Sequence, residues 1–128
     1  MVLVAGCGGV RWDYDDGFGR KRAESEGKPL LLYFTDVMST DHRNLQRAVF
    51  DNADVQREMA AAVNVMLSWQ YGSPPRRYRI ASPQVLIMCR PDGTEVDRFH
   101  AKPVPLPMDF IAWLLRARPA AAAPSPGR

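Results

Sequence analysis

The sequence is poor in the residues that build disulfide frameworks and metal centres. Its 128 residues include two cysteines, Cys7 and Cys89, and two histidines. Two cysteines so far apart do not suggest a disulfide framework, and zinc sites usually combine cysteines and histidines at short spacings. No apolar run approaches the roughly eighteen residues that a membrane-spanning helix needs. We therefore expect no metal ion, no cofactor and no membrane span.

The basic residues lack the pattern of a nucleic-acid-binding protein. The formal net charge is +3, and fourteen of the 17 basic residues are arginines. No basic run is interleaved with the aromatic residues on which bases stack. The densest cluster, Arg76, Arg77 and Arg79, falls in a predicted loop, where we interpret it as solvated surface. The sequence gives no reason to expect nucleic acid as a partner.

Length and composition favour one globular domain. The chain is 46% hydrophobic and 24% charged, which is ordinary for a protein that buries its own core. We predict an N-terminal segment over residues 1–11, a folded domain over residues 12–117 and a disordered tail over residues 118–128. The tail is predicted from its alanine, proline, serine and glycine content.

The N-terminal segment contains a candidate lipidation site. The residues before and at Cys7 read Val-Ala-Gly-Cys, similar to the box in which a bacterial lipoprotein is lipidated on cysteine. Too few residues precede the box for a signal peptide, whose apolar stretch is about 7–15 residues. We therefore expect the native signal to extend upstream of Met1 and the protein to lie at the bacterial cell envelope. The alternative is a cytoplasmic protein with an incidental cysteine.

An apolar stretch followed by a helix start organises the rest of the chain. Residues 30–34 are all apolar and stand between Pro29 and Asp36, which predicts a strand buried on both faces. Residues 39–41 are of types that cap helices, and a helix is predicted over residues 40–49. The loop between them lies at the positive end of a helix dipole, where anions, thiolates and substrates are often held.

The other predicted elements surround this unit. A helix over residues 15–26 precedes it, and a second short helix begins near Asn52 or Asp54. Strands are predicted over residues 62–69, 84–89 and 94–99, the last two joined by a Pro-Asp-Gly turn, with a loop over residues 70–77. A final helix is predicted over residues 106–116.

This order of elements resembles the thioredoxin superfamily, in particular the thioredoxin-like domains of bacterial envelope proteins. In that family a buried strand leads to an aromatic residue and then to Cys-x-x-Cys at the helix start. Here Val37 takes the place of the aromatic residue, and Met38 and Asp41 take the places of the cysteines. The resemblance implies an α/β, thioredoxin-like fold with a central mixed sheet of about four strands flanked by helices.

The resemblance also implies a binding groove. In the family, a cis proline before a strand faces the active-site loop, and the groove between them holds an extended peptide by backbone contacts. The matching bond is Ser82–Pro83, which we accordingly predict to be cis and to face Met38. Val37, Met38, Ser82 and Pro83 would form the groove. Trp69 or Tyr71 would add to its apolar surface.

The chemistry of the family cannot be carried over to these residues. Dithiol exchange needs a thiolate at the helix start and a second thiol nearby, whereas the thioether of Met38 does not ionise. The degenerate active-site positions are therefore Met38, Ser39, Thr40 and Asp41, with no catalytic residue among them. Cys89 falls in a predicted buried strand, where a cysteine behaves as a small apolar residue.

A hydrolase is the other chemistry that the loop suggests. Ser39, His42 and either Asp36 or Asp41 are the residue types of a catalytic triad. Their spacing does not support one, because neighbouring helix residues such as Asp41 and His42 point to different faces. We interpret Ser39 or Thr40 as a helix cap and His42 as a solvated residue of the first turn.

The sequence thus predicts a redox-inactive domain that acts as a protein- or peptide-binding or accessory module at the cell envelope. The alternative is a relative of the thiol-disulfide oxidoreductases that works through the single thiol of Cys89. A third interpretation is a scaffold whose working surface lies elsewhere. Exposure of Met38 beside Pro83, rather than its packing into the core, would favour the binding role.

Overall fold

The computed structural model describes residues 9–122, so the candidate lipidation site Cys7 lies outside the described residues. The strands of this part are β1 (Trp12–Asp13), β2 (Leu30–Thr35), β3 (Val63–Ser68), β4 (Val85–Cys89) and β5 (Glu95–His100). The helices are α1 (Asp16–Glu26), α2 (Thr40–Leu45), α3 (Ala53–Met59), α4 (Ser73–Arg77) and α5 (Pro107–Ala122), and a π-helical segment, Gln46–Phe50, follows α2. None of these helices has the length and apolar character needed to cross a membrane.

The strands form one mixed sheet in the order β1-β3-β2-β4-β5. Strands β1 and β2 run parallel to β3, whereas β4 runs antiparallel to both β2 and β5. Strand β2 is central, and its residue Tyr33 pairs with Met66 on one side and Leu86 on the other. The predicted mixed sheet is confirmed, and the two-residue β1 gives it five strands rather than about four.

The side chains of β2 alternate between two apolar cores. Leu31 and Tyr33 belong to the core beneath α2, α3 and α5, whereas Leu32 and Phe34 belong to the core on the α1 side. Every residue of β2 is buried, as expected for a strand covered on both faces. Helix α1 approaches the sheet so closely that a Cβ on Gly19 would stand 2.5 Å from the side chain of Val65.

Phe50 ties the site-bearing half of the fold together. Its ring lies 5.1 Å from that of Tyr33, 5.3 Å from that of Trp12 and 6.0 Å from that of Phe110. The π-helical segment that carries it ends in a bond from the Asp51 amide to the carbonyl of Gln46. Strand β2, the segment after α2 and helix α5 therefore share one aromatic cluster, which fixes the base of the loop between β2 and α2.

One predicted loop is a helix. Residues 70–77 contain two prolines and were expected to be irregular, yet Ser73–Arg77 forms α4 with proline in its first turn. Proline is tolerated there because the first amides of a helix have no partner within it. The predicted loop is therefore wrong for Arg76 and Arg77, but both side chains are exposed as predicted, and Arg77 pairs with Asp16 at 2.7 Å.

The last helix is longer than predicted. It continues to Ala122, so the predicted disordered tail is wrong for residues 118–122, which are helical. Two features explain the extension: alanine is the strongest helix former, and Ala121 is buried in the core. In addition, the guanidinium of Arg118 donates to the backbone carbonyl of Glu58 at 2.7 Å and pairs with its carboxylate.

The predicted cis bond is not at Ser82–Pro83. Among residues 9–122 the cis peptide bond is Lys102–Pro103, so the prediction drawn from the family resemblance is wrong. The chain instead enters β4 through Gln84, whose φ of 63° lies in the left-handed region. A backbone turn at Gln84 thus directs this segment into the sheet.

Candidate functional site

Two side-chain caps shape the loop between β2 and α2. Ser39 Oγ accepts a hydrogen bond from the amide of His42 at 3.1 Å and donates one to the carbonyl of Asp36 at 2.8 Å. Asp36 Oδ1 accepts from the amide of Met38 at 3.0 Å. Of the two predicted candidates, Ser39 and Thr40, Ser39 is therefore the helix cap. Met38 stands at the tip of this turn with 79% of its surface exposed.

The two other degenerate positions have structural partners. Asp41 Oδ2 lies 3.0 Å from Lys102 Nζ, and this exposed ion pair joins α2 to the segment after β5. Such a surface pair contributes about 0–1 kcal/mol to stability. Thr40 Oγ1 accepts from the guanidinium of Arg43, which also donates to the carbonyl of Met38. These contacts hold the loop and supply no nucleophile.

A cavity of about 510 Å³ opens beside this loop, at the carboxyl ends of β2 and β3. Val37 and Met38 line it, as do the aromatic residues Tyr14, Trp69 and Tyr71. The remaining lining residues are Thr35, Asp36, Met66, Leu67, Ser68 and Gln70. The structure thus joins Val37 and Met38 to the loop after β3. Ser82 and Pro83 of the predicted groove are not among the lining residues.

The rim of the cavity exposes large apolar side chains. Tyr14 is 71% exposed and Tyr71 is 77% exposed, comparable to Met38. Two amide bonds to Ser68 Oγ, from Gln70 at 3.1 Å and from Tyr71 at 2.9 Å, hold the loop that presents these rings. A contiguous set of exposed aromatic and thioether side chains is a feature of interaction sites. We call Tyr14, Val37, Met38, Trp69 and Tyr71 the Met38 surface.

A closed ring of hydrogen bonds lies directly behind Asp36. The side-chain amide of Gln84 donates to the Tyr33 hydroxyl at 2.7 Å, and that hydroxyl donates to Thr35 Oγ1 at 3.1 Å. Thr35 in turn donates to Gln84 Oε1 at 3.1 Å. All three residues are buried, and burial raises the pKa of Tyr33 to about 12. Each member satisfies the next, which a buried polar group requires.

His42 docks on this ring. Its Nδ1 lies 2.9 Å from the Tyr33 hydroxyl and 3.3 Å from Thr35 Oγ1, and its imidazole stacks on the Tyr33 ring. This contact ties the first turn of α2 to the buried ring at the end of β2. Burial, and secondarily the charge of Arg43, lowers the pKa of His42, whereas Asp36 acts in the opposite direction. The interpretation of His42 as a solvated residue is wrong.

The triad residues do not converge. Ser39 Oγ bonds to the backbone amide of His42, and the imidazole points its Nδ1 at Tyr33.

The polar ring is the feature that sequence reasoning missed. Its members come from the end of β2 and from the residue before β4, His42 docks on them from the first turn of α2, and no short motif links these segments. A histidine in the first turn after a strand rich in Tyr and Thr was the available signal.

Cys89 lies at the other end of the sheet. It pairs with Leu30, the first residue of β2, whereas the loop of Met38 follows the last. Five strand steps, or about 17 Å, separate those ends. The thiol is fully buried, and burial raises its pKa to about 12. Within the described part of the chain, no group of three or more His, Cys, Asp and Glu side chains is placed to hold a metal ion.

Comparisons with known proteins place the fold. No protein family and no curated protein matches the sequence. Among solved structures, a thioredoxin from Thermus thermophilus superposes with a TM-score of 0.70 at 21% identity, over 84% of this chain and 86% of that one. A DsbH oxidoreductase gives 0.69 at 11% identity, over 91% and 90%.

A third similar structure is a single domain of a larger protein. The C-terminal domain of DsbD from Neisseria meningitidis, in its oxidised form, gives a TM-score of 0.67 at 14% identity. The match covers 84% of this chain and 100% of that domain. The sheet order, the crossing helices and these superpositions agree: this chain has the thioredoxin-like fold.

Proposed function

We propose that this thioredoxin-like domain is a redox-inactive binding module that holds a protein or peptide partner at the Met38 surface. The observation that carries the proposal is the combination of an open cavity of about 510 Å³ with the exposed side chains of Tyr14, Met38 and Tyr71 around it. Exposed aromatic residues and methionine are the types that dominate binding surfaces. A rigid base supports this rim, because the capped loop and the polar ring fix Asp36 and Thr35.

The absence of a usable thiol supports binding without reaction. Met38 and Asp41 stand where the resemblance would place the cysteine pair, and neither can form a mixed disulfide. Cys89, the thiol of the alternative oxidoreductase interpretation, is inaccessible and has its pKa raised by burial. A nucleophilic cysteine needs both access and a thiolate. These properties favour the binding module over the single-thiol enzyme.

The location proposed for this module is the bacterial cell envelope, with Cys7 as lipid anchor. The support is the Val-Ala-Gly-Cys box alone. Metabolic labelling with a radioactive fatty acid, in cells that carry the gene with its own upstream sequence, tests it. We expect label in the wild type and none in Cys7→Ser, whereas equal labelling of the two would overturn the anchor.

Site-specific photocrosslinking in cells tests the binding role. A photoreactive residue replaces Met38 in one variant and Leu115 in the matched control, which is 49% exposed on helix α5. We expect a discrete crosslinked protein from position 38 and none of the same size from position 115. Crosslinks that are absent, or identical at both positions, would contradict the proposal.

A further inference from the structure

We propose that the Met38 surface selects a cationic side chain, lysine or arginine, within an extended segment of its partner. This inference rests on the proposed binding function and assigns the chemistry of the occupant. The three observations that point to it are aromatic rings around the cavity that do not pair with one another, a carboxylate in its wall that forms no ion pair among the described residues, and apolar lining residues that can contact the stem of such a side chain.

The aromatic rings around the cavity are not occupied by one another. Within residues 9–122, none of the close ring pairs involves Tyr14, Trp69 or Tyr71. The rings of Tyr14 and Tyr71 are mostly in solvent. Trp69 is half-buried and packs against the core on the α1 side. Indole and phenol faces attract cations through their quadrupole, most strongly for tryptophan.

Asp36 supplies a negative charge without a positive partner. Among residues 9–122 it is the only acidic residue that lines the cavity, and no lysine or arginine of that range lines it. Oδ1 is used by the amide of Met38, and across the described ranges Asp36 forms no ion pair. Asp41, five residues further on, is by contrast neutralised by Lys102. The carboxylate of Asp36 is therefore available to a cation that enters from outside.

The remaining lining residues suit a methylene stem. The half-buried Met66 and Leu67 line the cavity, and the exposed Val37 and Met38 add apolar contact at its rim. Lysine and arginine pack their stems on such a surface while the charged head stays polar and wet. A neutral apolar side chain would leave Asp36 unpaired, and an acidic one would be repelled by it. Charge complementarity thus selects the cation among the side chains that fit.

Peptide binding to the full domain tests the selection. The probes are acetylated, amidated pentapeptides with arginine, lysine, citrulline or glutamate at the centre and alanine and glycine elsewhere. Binding is followed by the proton–nitrogen shifts of the Val37 and Met38 amides and of the Trp69 indole. We expect the arginine and lysine peptides to bind at least about tenfold more tightly than the citrulline peptide, in which the side chain is the neutral isostere of arginine. A tenfold ratio of affinities corresponds to roughly 1.4 kcal/mol of binding free energy.

A variant isolates the charge of Asp36. Asp36→Asn keeps an oxygen acceptor for the amide of Met38, so the loop should remain capped. The substitution should lower the affinity for the arginine peptide about tenfold. Asp109→Asn, at an exposed carboxylate in the first turn of α5, is the control for net charge and should leave affinity unchanged. Equal losses in the two variants would overturn the assignment to this carboxylate.

The outcomes separate this inference from the binding function. Equal affinity for the arginine and citrulline peptides, or no shift with any peptide, would overturn the cation selection. The crosslink at position 38 would then decide the binding function independently. Tetramethylammonium that binds as tightly as the arginine peptide would make the cavity a small-cation site and would also overturn the peptide proposal.

Discussion

The two ends of strand β2 hold two sulfur-bearing side chains with opposite properties. Met38, in the loop after the strand, is exposed but carries a thioether that cannot ionise. Cys89, beside the first residue of the strand, carries a thiol but is buried, and its pKa is raised to about 12. Disulfide exchange needs an ionisable thiol in an accessible place. The fold separates these two requirements, and this separation is what supports the proposal of a domain that binds without thiol chemistry.

The largest effect expected from this comparison is on thiol reactivity. In a background of Cys7→Ala, Met38→Cys should react with N-ethylmaleimide at least about a thousandfold faster than Cys89 of the folded parent, since the parent thiol lacks both thiolate and access. Stopped-flow or mass-spectrometric labelling measures both rates. The denatured parent is the control and should label fast. Rapid labelling of native Cys89 would reverse the comparison.

The polar ring at the exposed end should contribute strongly to stability. Tyr33→Phe removes the hydroxyl that accepts from Gln84 and faces His42, and a buried partner left unsatisfied costs about 1–3 kcal/mol in the free energy of unfolding. Urea denaturation measures it. Tyr71→Phe is the matched control and should change the free energy by less than about 0.5 kcal/mol, because Tyr71 is exposed. Similar losses in both would mean that the ring has no special role.

The stability of this end should depend on pH through His42. Burial lowers the pKa of His42 in the folded state, so the unfolded chain binds the proton more readily. The contribution of His42 is therefore complete above the unfolded value of about 6.5 and is lost as the pH falls below it. Unfolding curves above and below that pH should show that the free energy of unfolding falls less on acidification in His42→Gln than in the parent.

The other histidine provides the control for this pH effect. His100→Gln, at the end of β5, should retain the full acid loss of the parent. An acid loss that disappears with His100→Gln and persists with His42→Gln would contradict the assignment.

The smallest stability effect is expected at the tip of the loop. Met38→Ser should change the free energy of unfolding by less than about 0.5 kcal/mol, because the side chain makes little buried contact. The same variant should weaken partner capture, since it removes the exposed thioether from the rim of the cavity. Chemical denaturation and quantitative pull-down measure the two properties. A stability loss above about 1 kcal/mol would place Met38 in the core.

The sequence was sufficient for the frame of the fold. The apolar run of β2, the cap at Ser39 and the turn before β5 are local patterns, so the elements around them were predictable. The position of Met38 after β2 followed from the same local pattern. Its exposure then depended only on the capped turn between strand and helix.

What the sequence did not predict depends on contacts between distant segments. Gln84 reaches Tyr33 across the sheet, and no spacing rule connects them. Helix α5 continues to Ala122 because Arg118 bonds to Glu58 of α3 and Ala121 is buried in the core. The prediction of a cis bond at Ser82–Pro83 rested on the family resemblance and not on contacts between residues of this chain. The structure has a left-handed residue, Gln84, directly after this bond.

The most direct test of the account is to repeat the crosslink from position 38 in cells with and without the thiol of Cys89. The account predicts that the same partner is captured with undiminished yield in the Cys89→Ala background, because binding at the exposed end needs no thiol. Loss of the crosslinked partner in Cys89→Ala, with the domain still folded, would contradict it and make the buried cysteine part of the function.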